Sequence, residues 1–119
     1  MWRRPDSLRN RDHVERAALY RLTRQAAADL KDIYRYTRHR WGKAQAERYA
    51  SQLQQCLTML AVRPHAGRKR EELQPPGLHS FMQGSHVIFY QPQPYGILIV
   101  RILHGTQDVR RHLGTGETS

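Results

Sequence analysis

LTRQAAADLKDIYRYTRHRWGKAQAERYASQLQQCLTMLAVRP, residues 22–64, is the stretch that decides the fold. Ala26, Leu30, Ile33, Thr37 and Trp41 recur at spacings of three and four, the period of one helix face. Thr23 stands where an N-cap belongs. Asp29 and Asp32 precede Arg35, Arg38 and Arg40, an order that suits the helix dipole. Gly42 breaks the run. A second stripe follows from Lys43 to Ala61: Ala46, Tyr49, Ala50, Leu53, Leu57 and Leu60, with Cys56 beside it. Pro64 ends it. Two amphipathic helices with so short a break predict an antiparallel αα-hairpin. Tyr36 and Trp41 are expected to pack, Tyr36 in the hairpin core and Trp41 at the helix turn.

Outward from the hairpin the period changes. Residues 17–22 (AALYRL) read as a strand. Residues 65–77 are loop by composition, with Pro, Gly and a charge cluster. Residues 78–82 (LHSFM) and 86–90 (HVIFY) predict two short strands around Gly84. Residues 97–103 (ILIVRIL) predict a longer strand, covered on at least one face. Gln91–Gly96, with Pro92 and Pro94, reads as the loop between the last two strands. A turn of helix is expected at Asp108–Leu113. The order β-α-α-β-β-β predicts an α+β fold: an antiparallel sheet of about four strands with the N-terminal αα-hairpin packed on one face. The opposite face is expected to be open and polar. The domain is expected over 17–113, with an N-terminal extension at 1–16 and a tail at 114–119.

The chain has 119 residues, enough for one domain with a core of its own. Lys+Arg total 20 against 10 Asp+Glu, and all the basic residues but Lys31, Lys43 and Lys69 are Arg. The excess points to an acidic partner. It is spread along the chain: 1–16, 17–62 and 63–119 are each net positive. One cysteine excludes an internal disulfide, and no apolar run is long enough to span a bilayer. A cytoplasmic location is expected. No His/Cys/Asp spacing resembles a metal site and no phosphate-binding loop occurs, so neither metal nor cofactor is expected.

Three blocks carry a family resemblance. The first runs from Tyr20 to Leu53, through Asp29, Leu30, Ile33, Tyr36, Trp41, Gly42, Gln45, Ala46, Tyr49 and Leu53. The second is Leu60, Pro64, Gly67 and Arg68. The third is GSHVIFY (84–90) with ILIVRILHGTQDVRRHL (97–113). Together they resemble ParE-type toxins of the RelE/ParE superfamily. The resemblance implies a toxin of a type II toxin–antitoxin system. Its expected target is the DNA gyrase–DNA complex, poisoned so that replication stops. Its expected partner is an acidic antitoxin with a DNA-binding N-terminal domain. The gyrase-directed reading needs no catalysis by the chain itself. The alternatives are a RelE-like mRNA interferase and a remnant that binds antitoxin without being toxic.

The candidate site residues follow. If RNA is cut, His104 would be the acid or base, with Arg68 and Arg101 on the phosphate. No Tyr follows Tyr95, which argues against the ribonuclease pattern. If the surface only binds partners, the candidates are Arg68, Lys69, Arg70, Arg101, His104, Asp108, Arg110 and Arg111. The Arg68–Arg70 cluster reads either as a solvated loop or as a contact for carboxylates or phosphates. Asp108 either clips the chain end, paired with Arg110, Arg111 or Arg101, or belongs to the target surface. Gly67 is expected to permit a turn. His79 stands where the family more often has Arg, and His86 is expected to set a strand edge. Base stacking needs exposed aromatics interleaved with Arg. The sequence offers no clear run of that kind, and no sequence-specific DNA binding is expected.

Overall fold

The computed structural model describes residues 19–114. The expected extension 1–16, the first two residues of the expected first strand and the tail beyond 114 lie outside them. The elements in chain order are β1 (Leu19–Leu22), α1 (Arg24–Trp41), α2 (Lys43–Val62), β2 (Arg68–Lys69), β3 (His79–Gln83), β4 (His86–Gln93), β5 (Gly96–His104) and α3 (Val109–His112).

The hairpin forms as its sequence demands. Thr23 Oγ1 accepts the Ala26 N–H at 3.0 Å and caps α1. Gly42, at φ 97°, ends α1, and its N–H donates to the Arg38 carbonyl. A side chain at such a φ is strained, so glycine suits the joint between the helices. Leu53, Cys56, Leu57 and Leu60 of α2 are buried against Ile88, Tyr90, Ile97, Ile99 and Ile102 of the sheet. Burial pushes the Cys56 thiol pKa up, which keeps it protonated and inert.

The sheet has five strands in the order β1-β5-β4-β3-β2. Two features correct the expected four-stranded antiparallel sheet. The pair β1–β5 is parallel, with Tyr20 opposite Ile97 and Leu22 opposite Ile99. The loop at 65–77 contributes the two-residue edge strand β2, paired through Arg68 with Ser80 and Lys69 with His79. The ladder β4–β5 also runs on past Pro92, so only Pro94 and Tyr95 remain between those strands.

The face away from the hairpin is not open. Leu73, Leu78, Phe89, Val100, Leu103 and Leu113 form a second apolar cluster there. The 70–78 loop and the C-terminal segment, whose Leu113 is 5 % exposed, cover it. β5 is therefore buried on both faces, which is why its sequence is apolar almost throughout.

β1 ends opposite Ile99, and beyond that point the start of α1 lies along the edge of β5. The Thr23 N–H donates to the Ile99 carbonyl, and Thr23 Oγ1 donates to the Val100 carbonyl at 2.8 Å. Asp29 Oδ2 accepts the Ile102 N–H at 2.9 Å. Thr23, the cap of α1, and Asp29 within it thus continue the ladder where the partner strand stops.

Candidate functional site

Arg101 sits in that same edge. Its Nε and Nη2 donate to the two Asp29 oxygens at 2.8 and 2.9 Å, a bidentate pair. The side chains are 14 % and 12 % exposed. The hydrogen bonds to Asp29 hold the Arg101 pKa above its ordinary value. Arg101 is committed to Asp29 and does not pair with Asp108. The Asp108 carboxylate accepts the Arg110 N–H and caps α3.

Arg68, Arg101 and His104 do not converge. Arg68 faces Ser80 across β2–β3, Ser80 faces Phe89, and Phe89 faces Arg101. That line crosses three strand spacings, about 14 Å. His104 lies farther along β5, opposite His86. Arg68 and Lys69 are exposed on the outer edge of the sheet. Arg70 turns inward instead: its Nε donates to Glu72 at 2.8 Å and its Nη1 to Ser80 Oγ at 3.2 Å. The Arg70 hydrogen bond lowers the Glu72 pKa. Arg110 and Arg111 are exposed on α3.

Gly67 is required by close approach. Its N–H donates to the Tyr90 hydroxyl at 2.9 Å, and that hydroxyl donates to the Pro64 carbonyl at 2.8 Å. A Cβ at Gly67 would lie 2.6 Å from the same oxygen. His79 is buried against Tyr90. Its Nδ1–H donates to the Gly77 carbonyl, so Nε2 carries the lone pair, buried without a partner among the described residues.

His86 and His104 face each other with ring centroids 5.5 Å apart. The network fixes their tautomers. The Tyr49 hydroxyl donates to the Gln83 carbonyl at 2.9 Å, so its oxygen accepts from His86 Nδ1–H at 2.7 Å. His86 Nε2 then carries a lone pair. His104 Nδ1 accepts the Thr106 N–H, so its proton sits on Nε2. Burial, helped by the neighbouring His104, lowers the His86 pKa. The pair lines a cleft of about 210 Å³ with Tyr36, Trp41, Gln45 and Tyr49. Tyr36 and Trp41 are 65 % and 64 % exposed, which corrects the expected packing of Tyr36 in the hairpin core and of Trp41 at the helix turn.

A second cleft of about 210 Å³ runs between the helices and is mostly apolar. Leu30, Ile33, Tyr34, Ala50, Leu53 and Leu57 are among its walls. Among the described residues no cluster of three His, Cys, Asp or Glu could hold a metal. No helix among them is long and apolar enough to cross a membrane.

Sequence reasoning missed Asp29, Tyr36, Trp41 and Tyr49 as members of polar or open sites. All four lie in the patterned blocks, but helical period shows which side a residue faces, not whether anything stands opposite it.

A family model described as the ParE toxin of the type II toxin–antitoxin system parDE matches residues 20–109. Toxin ParE1 of Caulobacter vibrioides is 43% identical over 95 residues, covering 80% of this chain and 97% of that protein. Toxin ParE1 of Mycobacterium tuberculosis is 39% identical over 95 residues, 79% of this chain and 96% of that one. Toxin ParE of Escherichia coli is 38% identical, covering 79% and 91%. In fold, the chain is similar to a solved structure titled "Chromosomal ParDE TA system from P. aeruginosa", with a TM-score of 0.61 at 22% identity over 75% of this chain and 97% of that one.

Proposed function

The chain belongs to the ParE toxin family of type II toxin–antitoxin systems, and we propose that it poisons DNA gyrase and is neutralised by an acidic antitoxin. The observation that carries the proposal is similarity to toxins named ParE over nearly their whole length. The surface chemistry is compatible with it. The chain is net +10, and the cleft between α1 and α2 is apolar. An amphipathic antitoxin segment with acidic flanks would bury its apolar side there and set its charges against the surrounding Arg.

Catalysis by the chain itself is not part of the proposal. An RNA-cutting site would need cations and an acid or base around one phosphate. Arg101 is paired with Asp29, and Arg68 lies about 14 Å away across the sheet.

The test is induced expression in growing cells, with DNA synthesis and messenger RNA followed in parallel. DNA synthesis should stop first, and co-expression of a cognate acidic antitoxin should restore it. Messenger RNA decay that precedes the replication block would refute the proposal in favour of an mRNA interferase. Unimpaired growth would leave only antitoxin binding.

A further inference from the structure

Tyr36, Trp41, Gln45, Tyr49, His86 and His104 line a cleft, and of these six only Tyr49 also packs against a hydrophobic core. It lies where the end of α1 and the start of α2 meet the start of β4 and the end of β5. Two large aromatic rings stand exposed at one opening, and the Arg40 guanidinium lies 4.9 Å from the Trp41 ring centroid. Arg38 and Lys43 are also exposed beside it in the chain. Rings this exposed are not held there by packing in the core.

We propose that this cleft stacks one unpaired nucleobase of a single-stranded nucleic-acid segment. The occupant is specified by three features. Its volume, about 210 Å³, is below the range of drug-sized ligand pockets and suits one ring system. Its two imidazoles offer opposite hydrogen-bonding edges, a lone pair on His86 Nε2 and an N–H on His104 Nε2. A base edge carries donors and acceptors together. A carboxylate carries acceptors alone and would set an anion against the His86 lone pair. Arg40, over the Trp41 ring, supplies a cation for a phosphate beside the stacked base. Exposed rings with neighbouring Arg are the means by which proteins hold single strands without reading sequence. The inference goes beyond the gyrase proposal and does not depend on it, because an oligonucleotide alone tests it.

The full chain is used with Trp2→Phe, which leaves Trp41 as the sole tryptophan of the two. Its fluorescence is titrated at low salt with a 12-residue oligothymidine, an oligouridine of the same length, a duplex of the same length and polyglutamate. At least one single strand should quench Trp41, and the deoxy and ribo arms show which sugar is preferred. Duplex and polyglutamate should leave Trp41 unquenched. Tyr36→Ala should weaken single-strand binding roughly 5- to 150-fold, the range for loss of one stacking partner. Its affinity for duplex, measured by anisotropy, should stay within about twofold. Tyr36 is so exposed that the replacement leaves the core intact. His104→Ala is the second variant and should also weaken the single strand selectively. Equal quenching by duplex, quenching by polyglutamate, no quenching by either single strand, or single-strand affinity unchanged in both variants would overturn the proposal.

Discussion

Removing the Asp29 carboxylate should be among the most destabilising single changes in this domain. Asp29→Ala leaves the Arg101 guanidinium, 14 % exposed, with no counter-charge, and it leaves the Ile102 N–H with no acceptor on an edge that β1 does not reach. Breaking a buried pair by deleting one partner costs about 3–5 kcal/mol. The pair is not wholly buried, so the lower end applies, about 3 kcal/mol. For a domain of this size that lowers Tm by roughly 12–24 °C. Arg101→Met should cost less, because Asp29 keeps the Ile102 N–H and Met fills the space of the Arg stem. The double variant should cost less than the two singles together, with a coupling of about 1–3 kcal/mol. Urea unfolding followed by far-ultraviolet circular dichroism at pH 7 measures all four proteins. Raising salt from 0.1 to 0.5 M should change the coupling little, because both side chains are largely shielded from solvent. An Asp29→Ala cost below about 1 kcal/mol, or additivity within about 0.5 kcal/mol, would refute the reasoning.

Three further outcomes are expected. Gly67→Ala should destabilise by about 1–3 kcal/mol, since its Cβ would crowd the Tyr90 hydroxyl and the Ser80 carbonyl; thermal unfolding checks it. Tyr90→Phe should cost about 1–3 kcal/mol by leaving the Pro64 carbonyl and Gly67 N–H without their shared partner, again read from Tm. His86 has its folded pKa lowered, so the unfolded chain takes up the proton first. Its contribution to stability is present above pH 6.5, the ordinary histidine value, and is lost as pH falls from there through the lowered folded value. Urea midpoints between pH 8 and 5 should fall on acidification, and more steeply for the parent than for His86→Gln.

The helix hairpin was legible because every local signal agreed: a Thr cap, two apolar stripes at helical period and a glycine at the one joint needing positive φ. The sheet was legible strand by strand but not as an assembly. Alternation tells which way Tyr20 and Leu22 point, yet nothing local says that β1 lies parallel to β5 rather than beside another strand. Arg68–Lys69 is too short to show a period. The second core left one signal: ILIVRIL is apolar on both faces, and Leu73, Leu78 and Leu113 are isolated apolar residues in polar segments that cover its far side. For the site, Arg101 and His104 stood out by residue type, but their partners Asp29 and His86 come from elsewhere in the chain. Only the folded register puts His86 opposite His104 and an α1 carboxylate at the β5 edge.

The central claim, that this ParE family member acts on gyrase rather than by chemistry of its own, is tested most directly with purified components. Gyrase and supercoiled DNA are incubated with increasing toxin, and protein-linked linear DNA is measured after detergent and protease treatment. Linear DNA should rise with toxin only when gyrase is present, and equimolar antitoxin should abolish the rise. No gyrase-dependent linear DNA at any ratio, from toxin that still binds its antitoxin, would contradict it.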